Sequence, residues 1–260
     1  MDDSATQALI DRFLRGIREV LPEVTLWAHG SLAGGDYRPG RSDLDLIAVT
    51  DLPPTPQQER RLAAVHHAVA HGDPLAAKLH CSYVAVPELA DTALTHTTWA
   101  HEELTRRPVT PVTRRELASF GAVLHGRPVA SVLPPVTDEE LAEFILGDLE
   151  GFWLPALDHP DHTEYMRHDI WVDLALLTPA RAAVTLRTGR LITKGEALEV
   201  LRSWDAPPEV VADIEERRYG SPAPATEGWT VRRGRLARDF ARTAVGGLIA
   251  EFRPGTGTHP

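Results

Sequence analysis

The sequence predicts an α/β half with a small mixed sheet, residues 1–135, followed by an all-α helical bundle, residues 136–252. Three observations predict it. Strand-length apolar runs alternate with helical segments as far as residue 86. Beyond Pro87, apolar residues recur almost throughout at helical spacing. Between the two patterns, Leu133-Pro134-Pro135 reads as a linker. A chain of 260 residues is long enough for two small domains that each bury a core.

Each element has its own signal. Leu9, Ile10, Phe13, Leu14, Ile17, Val20 and Leu21 fall on one helical stripe, and Pro22 ends that first helix. Val24-Thr25-Leu26-Trp27 reads as a strand. A glycine-rich loop follows it, and Asp43-Leu44-Asp45 then opens a second apolar run, Leu46-Ile47-Ala48-Val49. The turn Asp51-Leu52-Pro53-Pro54 leads into a helix from about Thr55 to His71, which Gly72-Asp73-Pro74 stops. A third strand runs from about Leu79 to Val86. Pro111-Val112-Thr113 starts a helix that Gly126-Arg127-Pro128 closes. Thr137 and Glu140 form a capping box, with Leu141, Phe144, Ile145, Leu149 and Phe152 as the apolar face behind it. Further helices fit residues 168–187, 194–203, 208–218 and 235–252, the last with a stripe from Leu236 to Phe252 suited to a bundle. The tail 253–260 is expected to be disordered.

Composition narrows the function classes. Hydrophobic and charged contents of 43% and 25% are those of an ordinary globular protein. A net charge of −10 argues against a nucleic-acid partner, which calls for a basic face, and suits a small cationic partner or bound metal. The single cysteine, Cys81, excludes an intrachain disulfide and a cysteine-built zinc site. There is no signal-peptide pattern and no run of membrane-spanning length, so a cytoplasmic location is expected. His67 and His71 stand one helical turn apart, but no third ligand is spaced to join them, so a solvent-facing pair is expected.

The chemistry concentrates in Trp27 to Thr50, WAHGSLAGGDYRPGRSDLDLIAVT. Residues i and i+2 of a strand face one side, so Asp43 and Asp45 present two carboxylates to one point. Like charges this close repel unless a cation lies between them, and a divalent metal is the usual solution. Gly30 lets the backbone approach a bulky anion, and Ser31 adds a hydroxyl and an N–H. An anion cradle beside a cation clamp suits a nucleoside triphosphate carrying Mg²⁺. ATP as co-substrate agrees with the cytoplasmic expectation.

Gly30-Ser31, about ten residues, then Asp43-x-Asp45 resembles the signature of the nucleotidyltransferase superfamily, the polymerase β-like fold. With the Ala180-Arg181 to Thr188-Gly189-Arg190-Leu191-Ile192-Thr193-Lys194 segment added, the chain looks most like the aminoglycoside (3″)(9) adenylyltransferases, which modify streptomycin and spectinomycin. That resemblance implies that Arg181 and Lys194 reach the nucleotide phosphates. It marks Trp153, and Trp99 after the third strand, as aromatic walls for the acceptor, although Trp99 equally suits packing; Trp171 and Trp204 read as core. It also points to Asp158, Asp169 and Asp173 as carboxylates for a cationic substrate, each of which equally suits a cap or a surface charge. A cleft between the two domains is the expected acceptor site.

One departure stands on the third strand, Lys78-Leu79-His80-Cys81. The family the chain resembles places a glutamate there as general base, and here the aligned residue is His80. Histidine is a competent base near neutral pH. Either His80 takes that role, or it is a plain strand residue and the protein uses another acceptor or none. The activity implied is AMP transfer from ATP to a hydroxyl of an aminoglycoside-like molecule, by a monomer. The alternatives are another acceptor (a metabolite, a natural-product sugar or a protein side chain) or a nucleotide-binding protein without catalysis. The paired Asp43 and Asp45 speak against the last.

Overall fold

Residues 4–159 and 164–253 are described by a computed structural model of the chain. They fall into two compact units that divide after Val136. No described helix is long and apolar enough to cross a membrane.

The first unit opens with α1 (Ser4–Arg18), whose Leu9, Ile10, Phe13 and Ile17 are buried. Strand β1 (Thr25–Ala28) leads straight into a single helical turn, α2 (Gly30–Ala33), and β2 (Leu44–Thr50) follows. Helix α3 (Pro56–Ala70) starts at a Thr55/Gln58 capping box. A 3₁₀ turn, Pro74–Lys78, then delivers the chain into β3 (Leu79–Ala85). After β3 the structure departs from the sequence reading. The stretch read as helical from Pro87 holds a hairpin of β4 (Thr95–Ala100) and β5 (Glu103–Pro108), then α4 (Pro111–Phe120), then β6 (Ala122–His125). The reason is compositional. In β4 the polar His96, Thr97 and Thr98 are nonetheless buried, and β5 carries exposed charges along a sheet edge. Neither shows the apolar alternation that marks a strand.

The six strands form one mixed sheet in the order β5-β4-β3-β2-β1-β6. Only β2 and β3 run parallel, with Asp45 opposite His80. The two-residue period sends alternate side chains to opposite faces. Leu26, Leu46, Ala48, Cys81 and Tyr83 pack with α1 and with Leu62 of α3. Trp27, Ile47, Val49 and Val84 pack on the other face with Leu117 of α4, Val129 and Leu133. Each such side chain contributes roughly 1.5–3 kcal/mol when fully buried, so the sheet is fixed from both faces. Asp43 and Asp45 share the parity of Ile47 and Val49 and therefore lie at the end of the α4 face. Arg114 and Arg115 of α4 donate to the carbonyls of Pro134, Pro135 and Val136, tying down the stretch read as a linker.

The second unit is helical. The predicted capping box forms, with Thr137 and Glu140 starting α5 (Asp138–Asp148). A π-helical turn, Leu149–Trp153, joins α5 to α6 (Leu154–Asp158). Then come α7 (Asp169–Thr188), α8 (Lys194–Ser203), α9 (Pro208–Tyr219) and α10 (Glu227–Phe252). Helix α10 begins eight residues before the sequence reading placed it, from a Thr226 cap. Ion pairs tie the bundle together: Arg233, fully buried, meets Asp213 at 2.9 Å and the more exposed Asp169 at 2.6 Å, and Arg217 meets Asp173 at 2.6 Å. Of the tail expected to be disordered, residues 254–260 lie outside the described residues.

Candidate active site

The site is assembled where β1 ends and β2 and β3 begin. Gly30 sits directly after β1 with φ +60°, in the left-handed region where a side chain is strained. A Cβ at this position would lie 2.7 Å from Asp45 Oδ2, so the glycine exists to let backbone and carboxylate meet. The His29 amide donates to the Asp45 carbonyl at 3.0 Å, and Ser31 Oγ donates to the Asp43 carbonyl at 3.4 Å. The Gly30-Ser31 turn is thereby laced to the Asp43-x-Asp45 segment by its backbone.

Both carboxylates remain accessible, at 37% and 30% side-chain exposure for Asp43 and Asp45. The parallel register of β2 and β3 brings a side-chain nitrogen to each. Lys78 Nζ stands 3.4 Å from Asp43 Oδ1, and His80 Nδ1 stands 3.6 Å from Asp45 Oδ1. The Lys78 pair is half-exposed and worth about 0–1 kcal/mol, so it yields readily to a stronger partner. Among the described residues no three His, Cys, Asp or Glu side chains converge to hold a metal. Asp43 and Asp45 are two accessible carboxylates that could hold one. Two hard oxygens with open positions suit Mg²⁺, which keeps water and takes phosphate oxygens for the rest of its shell.

Sequence reasoning missed a second charged pair behind the first. His29 Nδ1 donates to Glu116 Oε2 of α4 at 2.9 Å, with both side chains largely buried. Burial alone would lower the His29 pKa. The Glu116 hydrogen bond and the negative charges of Asp45 and Glu116 outweigh it, and the pKa is raised. The signal in the sequence was slight, a histidine immediately before Gly30. Its partner lies 87 residues away. Lys78 and His101, whose ring stands 5.0 Å from that of His80, went unread for the same reason.

Trp99 lies on the opposite face of the sheet from Asp45. It pairs with Cys81, is 3% exposed, and stacks on His66 of α3 with ring centroids 4.6 Å apart. Of its two readings, packing describes it here. His67 makes an edge contact with Trp99, and His66 donates to or accepts from Tyr83 at 2.7 Å.

The remaining predicted residues belong to the second unit. Arg181 Nε donates to the Ile192 carbonyl at 3.0 Å, and a Thr193/Glu196 capping box sets Lys194 in the first turn of α8. Gly189, at φ +69°, closes α7, so the Thr188-to-Lys194 segment is one compact turn around Arg181. Asp158 pairs with Arg242, Asp169 with Arg233 and Asp173 with Arg217. Trp153 lines a cavity of about 260 Å³ with Phe152, Tyr165, Met166 and Trp171. Trp171 and Trp204, read as core, are half-buried.

The site thus joins two accessible carboxylates, Asp43 just before β2 and Asp45 within it, to a glycine turn at the end of β1 in a mixed sheet. Residues 10–94, which lie within the first unit, match the family model of the nucleotidyltransferase domain. The fold as a whole is similar to the crystal structure of the spectinomycin adenyltransferase AAD(9) from Enterococcus faecialis, solved with ATP and spectinomycin. The TM-score is 0.68 at 16% identity, over 92% of this chain and 99% of that one. At that identity the likeness is one of fold. No curated protein matches the chain by sequence.

Proposed function

We propose that the protein transfers AMP from ATP to a hydroxyl of an aminoglycoside-like small molecule and releases pyrophosphate. The observation that carries this reading is the Asp43–Asp45 pair, accessible and held against Gly30 by the His29–Asp45 backbone bond. The fold shared with an adenyltransferase solved with ATP and spectinomycin supports the choice of nucleotide and acceptor class.

Asp43 and Asp45 would hold Mg²⁺, whose charge offsets that of the triphosphate and orients it for in-line attack. Gly30 and Ser31 offer N–H groups and a hydroxyl to the departing phosphates, and Lys78 exchanges Asp43 for a phosphate oxygen. Arg181 and Lys194 supply further positive charge to the phosphates, by the likeness of their segment to the adenylyltransferase one. His80 accepts the proton of the acceptor hydroxyl as its oxygen bonds to the α-phosphorus and the bond to pyrophosphate breaks. In the second unit, Trp153 and its aromatic neighbours offer ring faces to the acceptor. Asp158, Asp169 and Asp173 add negative charge for a cationic one. The protein acts as a cytoplasmic monomer without nucleic-acid or membrane partners.

One observation favours a second reading, in which the acceptor is a different metabolite, sugar or protein side chain. His80 stands where the adenylyltransferases the chain resembles carry a carboxylate. The test is pyrophosphate release from ATP or GTP across a panel of aminoglycosides, with and without Mg²⁺, for wild type, His80→Ala and His80→Glu. Mg²⁺-dependent release with one aminoglycoside, lost in His80→Ala, bears the proposal out. No release with any aminoglycoside would contradict it, and unchanged turnover in His80→Ala would remove His80 from the mechanism.

A further inference from the structure

The turn between β4 and β5 contains two consecutive left-handed residues, neither of them glycine: His101 at φ +53° and Glu102 at φ +64°. Ala100 pairs with Glu103, so these two residues form the whole loop. Two-residue hairpin loops of this hand favour Asn-Gly, because both positions need positive φ. A histidine and a glutamate here carry a backbone cost that the favoured residues avoid. Such strain persists only where the surroundings hold it, and it collects at functional sites.

The placement of His101 shows what the strain secures. Its ring stands edge to face with His80, 5.0 Å between centroids and 71° between planes, a favoured aromatic geometry. His101 is exposed, so core burial does not account for its position. On the other side of His80, Asp45 Oδ1 lies 3.6 Å from Nδ1. The His80 imidazole is therefore bracketed by two elements, the β2 carboxylate and the hairpin tip.

We propose that His101 is a positioning residue for nucleotidyl transfer: packed on His80 from the hairpin tip, it fixes the orientation in which His80 meets the acceptor hydroxyl. The proposal rests on His80 being the base. It requires the His101 ring, and it does not require His101 to exchange a proton.

Three variants of the full chain test it: His101→Gly, His101→Asn and His101→Phe. Gly and Asn suit the left-handed backbone and lack the ring, so both fold at least as stably as wild type in a thermal melt. Phe keeps an aromatic edge without nitrogens. With an accepted acceptor, kcat falls roughly tenfold in the Gly and Asn variants while KM for ATP is unchanged, and the Phe variant recovers most of the loss. The His80 ring-proton resonances, assigned by their disappearance in His80→Ala, shift in the Gly and Asn variants. Wild-type kcat with unmoved His80 resonances overturns the proposal. So does a Phe variant as impaired as the Gly variant, because that result demands ring nitrogens. If His80 were not the base, His80→Ala would itself transfer at the wild-type rate, and the resonance shifts would still decide whether His101 holds His80.

Discussion

Replacing Gly30 with alanine probes the centre of the site with a single methyl group. Two costs follow from the geometry. At φ +60° an L-residue pays about 1–2 kcal/mol of backbone strain. The new Cβ would also lie 2.7 Å from Asp45 Oδ2, closer than real Cβ contacts allow. Restoring an ordinary contact moves the carboxylate by roughly half an ångström or more, because it is the end of a short side chain whose Cγ already stands at 3.4 Å. Rotating Asp45 aside costs little stability, but it breaks the geometry shared with Asp43. A displacement on the order of 1 Å at a reacting centre costs about a hundredfold in rate. Gly30→Ala is therefore expected to lose roughly 10²-fold in kcat for pyrophosphate release while its unfolding free energy falls by only about 1–2 kcal/mol. Stopped pyrophosphate assays and chemical denaturation on the same preparation measure both. Near-normal turnover in Gly30→Ala would refute the view that Asp45 must stand where this glycine admits it.

Further predictions follow from neighbouring groups. Asp43→Asn and Asp45→Asn each abolish transfer with little change in melting temperature, since removing one of two neighbouring like charges does not cost folding energy; a variant that retained turnover would remove the metal-clamp assignment. Burial, and then the nearby His67, lowers the His66 pKa from 6.5 to about 3. The folded state thus binds fewer protons than the unfolded one between these values, and the stability fully present above pH 6.5 is lost as pH falls towards 3, at up to about 1.4 kcal/mol per pH unit. His66→Gln should flatten that acid limb in denaturation measured from pH 7 to pH 4, and an unaltered slope would show that His66 is not the titrating group. His29 carries the opposite sign. Its raised pKa contributes stability that is complete below pH 6.5 and lost as pH rises through the folded value. Glu116→Gln should lower the His29 pKa in an NMR titration, and an unmoved titration would exclude the pair as its cause.

The sequence made the framework legible wherever one residue type carries one physical meaning. Proline and glycine punctuated α1, α3 and the capped helices of the second unit, and the Thr137/Glu140 box marked α5 to the residue. The Gly30-Ser31 and Asp43-x-Asp45 segments were legible because a turn needing positive φ and a pair of carboxylates at strand spacing each have few other uses. The hairpin was not legible. Buried His96, Thr97 and Thr98 look polar in isolation, and Glu103 to Arg107 look like a solvated helix face until the sheet edge is known. Its turn gives no warning, since His101-Glu102 lacks the glycine or asparagine that usually announces one. Glu116 stayed hidden for a different reason: only folding brings α4 against His29, and no local pattern records a contact made across 87 residues.

Mass spectrometry of the acceptor tests the central claim most directly. Streptomycin, spectinomycin and other aminoglycosides would each be incubated with the protein, ATP and Mg²⁺, beside an Asp45→Asn control. The account predicts that at least one gains the mass of a single adenylyl group with the wild type and none gains it with Asp45→Asn. Adenylylation that persists in Asp45→Asn, or its absence from every aminoglycoside while wild-type protein still binds ATP and Mg²⁺, would contradict it.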